Sequence, residues 1–383
     1  MTAQIDSKLP RVGTTIFTTM SALAQETGAI NLSQGFPDFP APQGLADALG
    51  RASRKGHNQY APMAGLPALR QQIATQLLRH RQVSADWEQE ITVVPGATEG
   101  IFCAITACIN SGDEVILLDP CYDSYEPAIE LAGGRAVHVP LRLPDFRPDW
   151  ERIEAAVTDR CRMIIINTPH NPCGATFSDS DMQALAALAE RHDLLVCSDE
   201  VYEYLVYDGE THRSVLQYPT LRQRSFAHFS FGKTFSVTGW KTGYCVAPPA
   251  LTRELRKVHQ YVAFVAVTPV QQALAEFMAG APDYPLGLAD FYQAKRDRFN
   301  AALSTSRFTF TPSAGSFFQL LDYRQISEAR DTELCMAWTR EHGVASIPIA
   351  IFSERPPEQH LLRSCFAKGD DTLDRATEIL CRI

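Results

Sequence analysis

Lysine is scarce in this chain, and two of its lysines lie close together in a segment of small and aromatic residues. None of the seven lysines falls between Lys55 and Lys233, and Lys241 follows Lys233 by eight residues. Lys233 comes just after a predicted apolar strand, so we expect its side chain to be partly buried. Burial disfavours the ammonium form, and the neutral amine is the nucleophilic form of lysine. Lys233 is therefore a candidate catalytic residue, although most lysines lie in exposed turns.

Two common motifs match the segment around Lys233 only in part. Gly232-Lys233-Thr234 resembles the end of a P-loop, but the position of the required first glycine is Ala227, inside a predicted strand. Ser230-x-x-Lys233 with Lys241-Thr242-Gly243 resembles serine acyl-enzyme signatures, but the third element, Ser198-Asp199-Glu200, precedes the first instead of following it. We therefore reject both interpretations.

The third match is the lysine loop of enzymes that use pyridoxal 5′-phosphate (PLP), and such a site needs further groups. A carboxylate must keep the pyridine nitrogen protonated, and Asp199 follows the predicted strand Leu194–Cys197. Backbone N–H groups at a helix start can bind phosphate, and Gly96-Ala97-Thr98 is such a turn. Tyr122 could stack on the pyridine, and the amide of Asn171 could hold the phenolic oxygen. Each group alone also has an ordinary structural explanation, such as a helix N-cap or a turn.

These groups follow the ends of short apolar segments that alternate with predicted helices. The predicted strands are Ile91–Val94, Val115–Leu118, Met163–Ile166, Leu194–Cys197, Phe226–Phe231 and Tyr244–Val246. The predicted helices cover residues 14–28, 97–109, 124–132, 179–191 and 251–279. Strands that are apolar at every position and separated by helices indicate an α/β fold with a mostly parallel sheet sandwiched by helices. Ligands of such sheets bind at the carboxyl ends of the strands.

The pattern changes near Gly280–Gly287, where the long predicted helix ends. Beyond it we predict strands at Phe308–Thr311 and Ser316–Leu321 and a last helix over residues 371–382. The N-terminal segment is too short to fold alone. We therefore predict a large domain over residues 44–279, which would bind the cofactor, and a small α+β domain formed by residues 1–43 and 280–383.

Composition narrows the class of protein. Hydrophobic residues make up 45% and charged residues 21%, which is typical of a globular protein, and the net charge of −9 argues against binding to nucleic acids or anionic membranes. Ten cysteines without a C-x-x-C pair indicate reduced thiols and a cytoplasmic location. Met1 to Arg11 has no apolar signal-peptide segment, and no apolar run has transmembrane length. The ten histidines form no H-E-x-x-H motif, so we expect no metal site.

The motifs from Gly35 to Arg363 together resemble those of the fold-type-I PLP-dependent aminotransferases, class I/II. The resemblance implies the type I PLP-transferase fold, PLP as cofactor and a homodimer with shared active sites. It implies that Lys233 binds PLP covalently, that Asp199 pairs with the pyridine nitrogen, and that Tyr202 hydrogen-bonds the cofactor O3′ beside Asn171. The other implied cofactor contacts are Tyr122 for stacking, then Ala97, Thr98, Ser230 and Lys241 for the phosphate, and Tyr60 for the phosphate of the partner subunit's cofactor.

The resemblance also implies a set of substrate contacts. Arg363 resembles the arginine that binds the substrate α-carboxylate through a planar fork, with Gly35 and Asn167 as further carboxylate contacts. Segments such as Gln34–Phe39 are closer to the kynurenine–glutamine transaminase branch, especially to its bacterial methionine-converting members. Phe17, together with Phe264 from the partner subunit, is expected to line an apolar pocket, which favours apolar or aromatic donors and methionine above others.

The implied reaction is transamination of an amino acid to its 2-oxo acid, with a second 2-oxo acid as acceptor and ping-pong kinetics. Lys233 would move the substrate Cα proton to C4′ of the cofactor. An alternative on the same fold is a lyase that cleaves the Cβ–S bond of cysteine conjugates, which pyruvate and ammonia release without an acceptor would identify. A PLP-binding regulatory module is a second alternative, but only about ten residues precede the first predicted helix, too few for a DNA-binding domain.

Overall fold

The strands of this protein form where apolar and β-branched residues follow one another, because such side chains pack well on a sheet buried on both faces. A computed structural model describes residues 5–356 and 360–383. Residues 1–4 and 357–359, which the prediction assigns to the small domain, lie outside the described residues. The described strands are β1 (Ile30–Asn31), β2 (Ile91–Val94), β3 (Glu114–Asp119), β4 (Arg135–Pro140), β5 (Cys161–Asn167), β6 (Leu195–Asp199), β7 (Ser225–Ser230), β8 (Gly243–Val246), β9 (Phe318–Asp322), β10 (Val344–Ala345), β11 (Ile347–Pro348) and β12 (Leu361–Cys365).

Helices alternate with these strands, and several begin at residues that suit a helix start. Ser178 caps the helix over Asp179–Arg191 through a reciprocal pair of hydrogen bonds with Asp181. No helix among the described residues is long and apolar enough to cross a membrane. The helices are α1 (Ile16–Thr27), α2 (Gln43–Arg54), α3 (Pro67–Arg81), α4 (Ala97–Cys108), α5 (Tyr125–Leu131), α6 (Trp150–Ala155), α7 (Asp179–Arg191), α8 (Pro219–Arg222), α9 (Phe231–Thr234), α10 (Pro249–Val262), α11 (Thr268–Gly280), α12 (Leu288–Leu303), α13 (Asp331–Glu341) and α14 (Asp370–Leu380).

Seven strands form one sheet in the order β2-β8-β7-β6-β5-β3-β4. β8 runs antiparallel to both of its neighbours, and the pairs from β7 to β4 are all parallel. The carboxyl ends of β2, β3, β5, β6 and β7 therefore lie at one edge of the sheet. The predicted mostly parallel sheet is confirmed, and its geometry gathers the groups that follow these strands.

The two ends of the chain pair with each other away from the large sheet. β1 lies parallel to β10, so that Ile30 is opposite Val344. A separate three-stranded antiparallel sheet has the order β11-β12-β9. This pairing is compatible with a small domain built from both chain ends, and the boundaries after residues 43 and 279 stay a prediction.

Two predicted elements of the chain are wrong. The helix predicted over residues 251–279 is two helices, α10 and α11, separated at Phe264, whose φ of +67° is left-handed. Pro269 lies in the first turn of α11, where its missing N–H costs nothing, so this proline marks a new helix start rather than a helix interior. Phe308–Thr311 is not a strand, because only Thr309 forms an isolated bridge, to Asp322.

A buried ion pair fixes the segment that follows β6. Arg81, at the end of α3, donates from Nε to Oε2 of Glu203 over 2.9 Å, and the exposed fractions of the two side chains are 7% and 4%. The Tyr244 hydroxyl donates to the other oxygen of Glu203 over 3.3 Å. Glu203 thus joins α3 and β8 to the loop that carries Tyr202.

Replacing Arg81 with alanine is expected to lower the free energy of unfolding by about 3–5 kcal/mol, because Glu203 would keep a buried carboxylate without its partner. Urea denaturation of purified protein measures this difference. The matched control is Arg298→Ala, which removes an exposed partner of Asp374 and should change stability little. An equal decrease in the free energy of unfolding in the two variants would contradict the conclusion that the buried pair of Arg81 and Glu203 stabilises the fold more than an exposed pair does.

Candidate active site

A cavity of about 480 Å³ opens at the carboxyl edge of the parallel strands. Most of the predicted site residues line it, although they come from distant parts of the chain. Those that line the cavity are Phe17, Gly35, Ala97, Thr98, Tyr122, Asn167, Asn171, Asp199, Tyr202, Ser230, Lys233, Lys241 and Arg363.

Lys233 lies on the single-turn helix α9, just beyond the end of β7, and its amine faces the cavity. Its Nζ donates to the carbonyl oxygen of Gly35 over 2.9 Å and lies 5.4 Å from the ring centre of Tyr202. Burial lowers the pKa of Lys233 to about 8, and the nearby positive charge of Arg363 also acts to lower it. A sizeable fraction of this amine is therefore neutral near pH 8 and able to act as a nucleophile or base.

Asp199 is the last residue of β6, and its carboxylate is buried beneath the cavity. The Tyr125 hydroxyl donates to Oδ2 over 2.6 Å, and the backbone N–H of Val201 donates to Oδ1 over 3.3 Å. Burial raises the pKa of Asp199 to about 6, against the hydrogen bond from Tyr125, which lowers it. A cation placed over this carboxylate would remove the cost of burying its charge.

The turn between β2 and α4 has the form of an anion site. Gly96 has a φ of +81° and precedes the first residue of α4, so free backbone N–H groups of Ala97 and Thr98 begin the helix. A side chain at Gly96 would have its Cβ 3.4 Å from Nζ of Lys241, so that amine lies beside the turn. The helix start and the lysine charge both favour a phosphate.

Arg363 lies on β12 of the small sheet and is almost fully buried, with 1% of its surface exposed. Its guanidinium donates to Oδ1 of Asn171 over 2.7 Å and to the carbonyl oxygen of Ser33 over 2.6 Å, and its Nε has no partner among the described residues. No carboxylate of residues 5–356 or 360–383 lies within 4 Å of it in an ion pair. Burial lowers the pKa of Arg363 to about 10, so the group stays charged at neutral pH and suits a small carboxylate ligand.

Two asparagines at the end of β5 connect these groups. Oδ1 of Asn167 accepts from the backbone N–H of Asn171 over 2.7 Å, and its Nδ2 donates to the carbonyl oxygen of Asp199 over 2.9 Å. Oδ1 of Asn171 accepts from Arg363, which leaves its Nδ2 as a donor for a ligand oxygen. Asn167 therefore fixes the loop, and Asn171 lies between the arginine and the rest of the cavity.

Tyr60 and Phe264 do not line this cavity. Their rings contact each other edge to face with centroids 5.4 Å apart, and 82% of Tyr60 and 41% of Phe264 are exposed. Their predicted positions in a partner subunit's site stay a prediction.

The sequence analysis did not identify several residues of the site. Tyr125 bonds Asp199, Asp123 lines the cavity, and the rings of Phe318 and Phe352 lie 4.0 and 5.5 Å from the Arg363 guanidinium. The spacing of three between Tyr122 and Tyr125 at a helix start is a signal that could have pointed to Tyr125. Phe318 and Phe352 carry no such signal, because they reach the arginine through tertiary packing.

Comparison with known proteins agrees with this geometry. The family described as aminotransferase class I and II matches residues 27–380. A methionine aminotransferase of Escherichia coli strain K12 is 49% identical over 374 residues, which cover 98% of this chain and 97% of the relative. A probable N-succinyldiaminopimelate aminotransferase of Mycobacterium tuberculosis H37Rv is 39% identical over 382 residues, with 97% and 96% covered.

The solved structures show the same relationship. An Escherichia coli crystal structure for which a methionine aminotransferase function was identified superposes with a TM-score of 0.97 at 48% identity, and the match covers 100% of both chains. Since the family match spans nearly all of the described fold and most of the predicted site residues meet in one cavity, this chain belongs to the class I and II aminotransferases and is an enzyme that transaminates an amino acid.

Proposed function

We propose that this aminotransferase uses PLP, held covalently by Lys233. The support is a cavity that offers one group for each part of that molecule: an amine of lowered pKa for the aldehyde, Asp199 for the pyridine nitrogen, and the turn at Gly96 with Lys241 for the phosphate. Tyr122, Asn171, Tyr202 and Ser230 line the same cavity and would complete the contacts. When bound, PLP supplies an electron sink for the pair left at the substrate Cα.

The observation that carries the proposed reaction is that Lys233 and Arg363 face one cavity, and that Arg363 has no carboxylate partner among the described residues. Arg363 would bind the α-carboxylate of an amino acid and so orient its Cα. The amine of Lys233, once the amino group of the substrate has taken its place on the cofactor, would be free to remove the proton at Cα and keep it within the cavity until it is returned. Gly35 and Asn167 would help to hold the carboxylate.

We propose donors with apolar or aromatic side chains, and methionine above others, with a 2-oxo acid as acceptor. The support is a lining that contains Phe17, Phe36 and Ile101, together with the 49% identity to a methionine aminotransferase. Arg363 is the only arginine among the described residues that line the cavity, and Asp123 would repel a second carboxylate. Donors with an acidic side chain should therefore be poor.

We propose that the enzyme acts as a homodimer in which Tyr60 and Phe264 complete the site of the partner subunit. The support is their joint exposure, beside the exposed side chains of Tyr261, Val262 and Val267. Apolar side chains exposed together are typical of a protein interface.

We also propose a cytoplasmic location, supported by ten cysteines that are all free thiols. Fractionation of cells that finds the enzyme outside the cytoplasm would contradict this location.

Lys233→Ala is expected to abolish covalent attachment of PLP, because Lys233 is the lysine of this cavity whose amine is buried and has a lowered pKa, whereas the other lining lysine, Lys241, is exposed. Apoprotein is mixed with PLP, reduced with borohydride and digested, and mass spectrometry should find the pyridoxyl group on the Lys233 peptide. Lys241→Ala is the control, since it should keep the attachment and weaken PLP binding about 10-fold or more. A wild type without any visible PLP band would contradict the cofactor proposal.

Arg363→Ala is expected to lower kcat/KM for methionine, leucine and phenylalanine by a common factor, because all three share the α-carboxylate. The expected loss is about 2–5 kcal/mol in transition-state binding, roughly 30- to 4000-fold. Arg363→Lys should recover only part of the kcat/KM that Arg363→Ala loses, since lysine lacks the planar fork. Steady-state rates for these donors and aspartate, and separate PLP titrations, measure the effect. An equal loss of PLP affinity, or aspartate as the best donor, would contradict the proposed roles.

Tyr60→Phe is expected to leave the dimer intact and to weaken PLP binding about 10-fold, because one hydroxyl donor to a charged phosphate is lost. Sedimentation gives the oligomeric state, and titration of the apoenzyme gives the PLP dissociation constant. Tyr261→Phe is the control, because Tyr261 is 86% exposed on the same surface and is assigned no contact with the cofactor. A monomeric wild type with tight PLP binding would refute the shared site.

A further inference from the structure

One hydrogen bond within the site has no place in the reaction described so far. The phenol of Tyr125 donates to Oδ2 of Asp199 over 2.6 Å, and both side chains are buried. The bond joins the first residue of α5, which follows β3, to the last residue of β6, so it spans two strand ends of the sheet. Burial raises the pKa of Tyr125 well above its usual value, which keeps this phenol a donor at every working pH.

The placement of Tyr125 follows from the local sequence. Ser124 precedes the helix, and Tyr122 and Tyr125 lie three residues apart, so one turn carries both rings. The rings pack edge to face with centroids 5.8 Å apart, and Tyr122 lines the cavity while Tyr125 lies behind it. The ring proposed to stack on the cofactor therefore also fixes the phenol that bonds Asp199.

Few other groups can hold the charge of Asp199. The Val201 N–H is more distant, at 3.3 Å. The charge of Lys233 also favours ionisation of Asp199, but its Nζ donates to the Gly35 carbonyl oxygen and makes no hydrogen bond to the carboxylate. The adjacent carboxylate of Glu200 opposes ionisation of Asp199. The remaining titratable neighbours are Tyr122, Tyr202, Cys197 and, in register on β7, His228. Burial keeps these four groups uncharged at neutral pH, so none of them supplies a countercharge.

We propose that Tyr125 is a positioning residue that keeps Asp199 ionised and aimed into the cavity before the cofactor binds, an inference that rests on the proposed pairing of Asp199 with the PLP pyridine nitrogen. A carboxylate that held its own proton could not stabilise a protonated ring nitrogen. Tyr125 therefore sets the lowest pH at which the Asp199 carboxylate is ionised and able to pair with the PLP ring nitrogen. Its contribution is greatest in the apoenzyme, where no ring nitrogen shares the charge.

Tyr125→Phe removes only the hydroxyl and tests this role in the apoenzyme. The PLP dissociation constant is measured by fluorescence titration between pH 5.5 and 9 for the wild type and the variant. Without the phenol, Asp199 takes up a proton at higher pH, so the loss of PLP affinity on acidification should begin about one pH unit higher. The variant should bind PLP roughly tenfold more weakly at the acidic end and equally well at pH 9.

Two controls separate this role from a structural one. Tyr323→Phe removes another buried hydroxyl, which donates to the Ala329 carbonyl oxygen over 2.9 Å outside the cavity, and it should leave the pH profile unchanged. In an Asp199→Asn background no carboxylate titrates at this position, so adding Tyr125→Phe should not shift the pH dependence of the PLP dissociation constant. A Tyr125→Phe profile that coincides with the wild type overturns the inference, as does a shift that persists with Asn at position 199.

A second variant serves if Tyr125→Phe does not fold. Incorporation of 3,5-difluorotyrosine at position 125 keeps the ring and makes the hydroxyl a stronger donor, so the profile should move to lower pH. An unchanged profile or a shift to higher pH overturns the inference. If the wild-type apoenzyme does not bind PLP, the proposed cofactor fails, whereas normal PLP binding with an unshifted variant refutes only the role of Tyr125.

Discussion

The site depends on charged groups that are buried around one cavity without forming direct ion pairs with each other. The amine of Lys233 donates to a carbonyl oxygen, the carboxylate of Asp199 accepts from a phenol, and the guanidinium of Arg363 donates to an amide and a carbonyl. Each group is held by neutral dipoles, so each keeps part of its charge uncompensated. Because an uncompensated buried charge is costly, the cavity that these groups line favours a ligand with matching charges.

The strand ends and loops that carry these charged groups must be rigid to keep the groups apart around the cavity. Asp199 ends β6 and Asn167 ends β5, and the Asn167 amide bonds the backbone of Asp199, so the two strand ends cannot separate without breaking that bond. Arg363 comes from the three-stranded sheet, where the centre of the Phe318 ring lies 4.0 Å from the central carbon of its guanidinium. A side chain at Gly35 would place its Cβ 2.5 Å from that ring, so only glycine lets the backbone approach Lys233 so closely. The cavity thus depends on the close contact between the Gly35 segment and the Phe318 ring of β9.

The sequence allowed six of the seven strands of the large sheet, all but β4, and more than half of the cavity-lining residues to be predicted, because these depend on local patterns and on motifs at strand ends. Lys233, Asp199 and Asn171 follow apolar strands, and a parallel sheet necessarily gathers such positions. The break at Phe264 was missed, although Pro269 marked it. Contacts formed by long-range packing could not be predicted, as with Phe352 near Arg363 or the Ala64 carbonyl that pairs with the backbone of Val93. Periodicity carries no information about which distant surfaces meet.

Two adjacent acids, Asp199 and Glu200, show how position alone separates an acid that faces the cavity from one that serves the fold. Glu200 directly follows Asp199 and is fully buried, yet it accepts from the Ser198 hydroxyl over 2.9 Å, from the Val215 backbone over 3.1 Å and from His212 over 2.7 Å. Burial acts to raise the pKa of Glu200, but the hydrogen bond and charge of His212, together with Ser214 and the charge of Arg81, lower it. At Asp199 burial dominates and raises the pKa to about 6. Glu200 has its hydrogen bonds satisfied by the protein and does not line the cavity. Asp199 has no ion-pair partner among the described residues, so it is the acid that the proposed cationic ring nitrogen would stabilise.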